Sequence, residues 1–116
     1  MEFTSFEIQL AKRMKRLGVT WTPLCGDWYY SEGGYCDFVR HEKEFPTLGK
    51  RVWLPLWEDC RHWLRTHGWV QLEFLVDGED LVEIEITHAT RGPQIARGKS
   101  DRECLYKLIC RSLEES

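Results

Sequence analysis

The sequence predicts an α+β fold: an antiparallel sheet made from two β-hairpins, packed with three helices in the order α-ββ-α-ββ-α. Three observations predict it. Apolar residues recur at helical spacing in three segments. Aromatic or β-branched runs flank two turn signals, Ser31-Glu32-Gly33-Gly34 and Asp77-Gly78. The chain has 116 residues, 42% hydrophobic and 30% charged, which suits one hydrophobic core, so residues 1–116 are read as a single domain.

The first helix begins at Thr4. Thr4 and Glu7 form a capping-box pair in which each side chain accepts from a free backbone N–H of the first turn. Phe3 and Ile8 are spaced for the accompanying hydrophobic staple. Phe6, Leu10, Met14 and Leu17 give the apolar stripe, and Lys12, Arg13, Lys15 and Arg16 suit the negative end of the helix dipole. Gly18 is a natural stop.

Trp28-Tyr29-Tyr30 and Tyr35 to Val39 then pair around the Gly-containing turn as the first hairpin. Trp21 and Leu24 precede it in irregular or edge chain, because Pro23 lacks a ladder donor. His41 to Arg51 is charged, contains Phe45-Pro46 and reads as a surface loop. The second helix starts near Pro55, with Leu56, Trp57, Cys60, Trp63 and Leu64 on one side. Gly68 ends it.

In the second hairpin Val70, Leu72, Phe74 and Val76 alternate with polar residues, as do Val82, Ile84 and Ile86. Ala89 to Lys99 reads as a loop. Ser100 and Glu103 form a second capping-box pair, and Leu105, Leu108, Ile109 and Leu113 face inward from the third helix.

Composition narrows the function classes. A net charge of −3 argues against a dedicated DNA-binding domain. No run of about 18 apolar residues exists, so no membrane span is expected. Met1-Glu2-Phe3-Thr4 has no secretory n-region or h-region, which makes the cytoplasm the expected location. Five Cys is an odd number without disulfide-framework spacing, and free thiols follow. With no C-x-x-C pair, no metal site is assigned, and no cofactor.

Three segments carry a likeness to known proteins. Leu54-Pro55-Leu56-Trp57-Glu58-Asp59-Cys60-Arg61-His62-Trp63-Leu64-Arg65 resembles a helix of small uncharacterised phage and mobile-element proteins. Leu10 to Gly18, and Ala96 to Ser100 leading into Cys104 to Arg111, resemble theirs as well. The second half is similar in layout to the phage ABA sandwich domain. The resemblance implies a fold and a phage or prophage setting, and it assigns no chemistry to individual residues.

Among candidate sites, Gly98-Lys99-Ser100 evokes a phosphate-binding loop, but Gly92 lies one residue too far upstream and Pro93 removes a donor. Arg91, Arg97 and Lys99 form a basic stretch beside a helix start, where an anion could be held. Lys12, Arg13, Lys15 and Arg16 form the wet face of a helix that could touch RNA or an acidic protein. Glu73, Glu83 and Glu85 share the outer sheet face and define a metal-dependent hydrolase as the least favoured reading.

The candidate contact residues are Trp28, Tyr29, Tyr30 and Tyr35. Successive strand residues alternate faces, so one set of aromatics is exposed unless both faces are covered. The reading that follows is a non-catalytic phage or prophage accessory protein that binds a protein partner or itself, as in inhibition of a host defence system. Nucleic-acid or nucleotide-phosphate binding through residues 91–99 is the alternative.

Overall fold

Thr4 caps the first helix, α1 (Ser5–Arg16), as its sequence dictates. The Glu7 backbone N–H donates to Thr4 Oγ1 at 3.1 Å, and Glu7 Oε1 accepts the Thr4 N–H at 2.7 Å. Such a cap is worth about 1 kcal/mol of helix stability. In this computed structural model, which describes residues 1–115, the chain divides into two units. The first is Met1–Leu56 and the second begins at Trp57.

In the first unit α1 buries Glu7, Leu10, Ala11 and Met14, a stripe rotated from the expected one. Phe6 is exposed, and Phe3 packs against Trp28 with ring centroids 6.0 Å apart. The helix ends in a Schellman motif. Gly18, at φ 102°, donates to the Lys15 carbonyl, and Val19 N–H donates to the Met14 carbonyl at 3.0 Å.

Three short strands follow, β1 (Trp28–Tyr30), β2 (Cys36–Phe38) and β3 (Val52–Trp53), in the order β2-β1-β3. The first hairpin forms as expected, with Trp28 opposite Phe38 and Tyr30 opposite Cys36. The added strand β3 pairs Trp53 with Tyr29. Trp21, Tyr29 and Val39 make the core, with Phe45, Leu48 and Trp53 packed on it. The 41–51 stretch is therefore a loop that inserts two apolar side chains, rather than a wholly surface one.

The second unit has α2 (Trp57–Thr66), β4 (Trp69–Asp77), β5 (Val82–His88), β6 (Gly92–Gly98) and α3 (Asp101–Glu114). Its strands form an antiparallel sheet in the order β4-β5-β6. The fold is α+β, and each hairpin gains a third strand.

The stretch expected as a basic loop, 91–99, is mostly the edge strand β6. Ala96 faces Ile84 across the ladder, and Pro93 faces Thr87. An edge position tolerates Pro93, whose missing N–H need face no neighbour. The register of β4 on β5 shifts twice, between Trp69 and Gln71 and between Phe74 and Val76. The second bulge moves Val76 opposite Glu83, off the apolar face expected from simple alternation.

Trp69, Leu72 and Phe74 stay on the face of Ile84 and Ile86, where the Trp57 ring stacks on Phe74 at 5.4 Å. Ser100 Oγ caps α3 by accepting the Glu103 N–H at 3.1 Å. α3 is buried on most of its circumference and packs on α2, β5 and β6. Among the described residues no helix is long and apolar enough to cross a membrane.

Candidate functional site

The first hairpin separates its aromatics by strand alternation. Tyr29 points into the core of the first unit, 6% exposed, with the Phe45 ring edge-on at 5.1 Å and Trp21 at 6.0 Å. Burial first, and then the nearby Asp37 and Glu44 carboxylates, raise its phenol pKa. Tyr29 is thus a core residue and offers no contact surface.

Trp28 and Tyr30 lie on the opposite face, both half-buried. Trp28 sits between Phe3 and Phe38, and Lys12 Nζ stands 5.0 Å above the Tyr30 ring. Tyr35 is 59% exposed at the turn, where Ser31 Oγ accepts its N–H at 3.3 Å. Of the four candidate aromatics, Tyr35 alone is mostly wet.

The basic candidates do not converge. Arg97 Nε donates to Glu83 Oε1 at 2.6 Å across the β5–β6 pair. Arg91 Nη1 donates to the Ser112 carbonyl in the last turns of α3, 3.1 Å away. The two arginines are six positions apart along extended chain, roughly 20 Å. Lys99 is exposed, and its backbone N–H, at the start of α3, donates to Glu103 Oε2 at 2.7 Å. Helix start and Glu103 carboxylate are therefore already paired, and a side chain in place of Gly98 would collide with that carboxylate. The positive end of α3 is compensated from within the protein.

The acidic face has the predicted placement. Glu73 lies opposite Glu85, and Glu83 pairs with Arg97. Among the described residues no three His, Cys, Asp or Glu side chains gather as metal ligands. None of the five cysteines is in a disulfide. Burial pushes the Cys60 thiol well up and the Cys104 thiol up to about 11, so both stay protonated and unreactive near neutrality.

Another feature escaped the reading of the sequence. β4 is a nine-residue edge strand, and most of it is exposed. Its two register shifts leave Val70 68% and Leu75 45% exposed, and Val76 lies on the outer face beside them. Only β5 pairs with it among the described residues, so its outer backbone N–H and C=O groups face away from the sheet. Its exposed positions mix Val70, Leu75 and Val76 with Gln71, Glu73 and Asp77, so apolar side chains stand on this edge beside charged ones. Chemically, β4 can receive another extended strand, with backbone bonds giving affinity and the apolar side chains giving selectivity. Comparison with protein-family models, with curated proteins and with solved structures found no match to this chain.

Proposed function

We propose that this chain is a non-catalytic accessory protein of a phage or prophage that acts in the cytoplasm by binding a protein, through strand addition at β4. The unpaired outer edge of β4 carries the proposal: Val70, Leu75 and Val76 are exposed along it, and an open strand edge can template pairing. The phage setting rests on the likeness of Leu54 to Arg65 and of the terminal helices to phage proteins. Inhibition of a host defence protein and self-association both fit the same edge.

Val70→Lys combined with Leu75→Lys tests it. Both side chains are exposed, so each change should shift stability by no more than about 0.5 kcal/mol. Light scattering on the purified protein and affinity capture from host lysate would report association. The expected result is a dimer or a specific captured protein that is lost in the double variant and kept in Tyr35→Ala. Association that survives the two lysines, or its absence in the unaltered protein, would overturn the proposal.

A further inference from the structure

The first unit contains a cavity of about 280 Å³, walled by Met14, Val19, Trp21, Leu48 and Trp53. That size is at the low end for ligand sites, which run to roughly 300–1,000 Å³ for drug-sized molecules. Two cations line it, Lys15 from the last turn of α1 and Arg51 just before β3. Among the described residues neither has an ion-pair partner. Lys15 Nζ donates to the Gly49 and Arg51 carbonyls at 2.9 and 2.8 Å, which leaves its third N–H uncommitted. The Arg51 guanidinium carbon lies 4.0 Å from the Phe45 ring centroid, and its N–H groups are not paired to a carboxylate.

Trp53 lines the same wall through other atoms of its side chain. Its indole N–H is buried behind that wall and has no acceptor. By contrast Trp21, on the same wall, donates to Asp27 Oδ2 at 3.0 Å.

Apolar walls and two cations without ion-pair partners together define one class of occupant. We propose that this cavity binds a small organic carboxylate with an apolar body of one or two rings. The body packs between Met14, Leu48 and the two indoles. The carboxylate faces Lys15 and Arg51. This site is independent of the β4 edge.

The test uses the full chain and naphthalene-1-carboxylate as probe, with naphthalene-1-carboxamide as the uncharged control. The indole N–H signals are followed by ¹H–¹⁵N correlation spectroscopy, and Trp53→Phe identifies the Trp53 peak. The expected result is a saturable shift of the Trp53 signal with a Kd below about 1 mM. Lys15→Met, Arg51→Gln and the change to the amide should each weaken binding about tenfold. Arg51→Gln leaves the Lys15 bonds to the loop intact, so it decides the matter if Lys15→Met perturbs the fold. No saturable shift up to about 5 mM would overturn the proposal, as would equal affinity for acid and amide. Affinity that Arg51→Gln leaves unchanged would overturn it too.

Discussion

The Trp69 indole N–H donates to the Ser112 hydroxyl at 3.1 Å, tying the first residue of β4 to the last turns of α3 inside the second unit. Both residues are buried, so the hydroxyl cannot be replaced by water without rearrangement. Ser112→Ala should cost about 1–3 kcal/mol, because it strands a buried donor. Urea unfolding followed by tryptophan fluorescence would measure it, and an unchanged midpoint would show that the indole finds another acceptor.

Tyr29 and Tyr35 should behave oppositely although both belong to one aromatic hairpin. Tyr29→Ala removes a ring enclosed by Trp21 and Phe45 and should cost about 3–5 kcal/mol. Tyr35→Ala, at an exposed turn position, should stay within about 0.5 kcal/mol of the unaltered protein. Thermal unfolding of the two variants side by side checks this.

The thiols give a dependence on pH. Cys104 titrates in the folded chain at about 11, raised from 9.0 chiefly by burial, and burial raises the Cys60 thiol in the same direction. The native state therefore keeps protons that the unfolded state has released. The stabilisation this brings is fully present below pH 9.0 and is lost as pH rises through about 11. Cys104→Ser should flatten that part of the alkaline stability curve. At pH 8 a thiol-labelling reagent should modify exposed Cys25 rapidly and leave Cys60 and Cys104 untouched until the chain unfolds.

Gly18 tests the end of α1. Its φ of 102° suits glycine, and a methyl group there would meet no neighbouring atom. The cost of Gly18→Ala is thus conformational alone, about 1 kcal/mol. A loss several times larger would mean that the residue does more than terminate the helix.

Much of this fold was legible in the sequence, and the exceptions have physical causes. The Thr4–Glu7 box, the Gly33-Gly34 turn and the alternation of Val82, Ile84 and Ile86 are local signals, and the structure follows them. β6 stayed hidden because Gly92, Pro93 and Gly98 have poor strand propensity, and its pairing with β5 is what recruits them. β3 is two residues long, too short for any period. Val76 was assigned to the wrong face because a bulge at Leu75 inserts one residue into the alternation.

The candidate sites follow the same rule. Alternation alone separated Tyr29 from Trp28 and Tyr30. The burial of Phe45 and Leu48 against Trp21 depends on how a long loop returns, which no local pattern records. The cavity brings Lys15 to Arg51, 36 positions away, and to Trp53 beyond it, for the same reason.

The two borders of the second sheet differ in a way that limits what it can build. β6 presents Pro93, Ile95, Arg97 and two terminal glycines, whereas β4 presents Val70, Leu75 and Val76 beside Glu73 and Asp77. Were two copies to pair through β4, as proposed, each would consume that border, and Pro93, which has no N–H to donate, would disfavour a further addition at β6. Such an association would favour a symmetric pair over a filament.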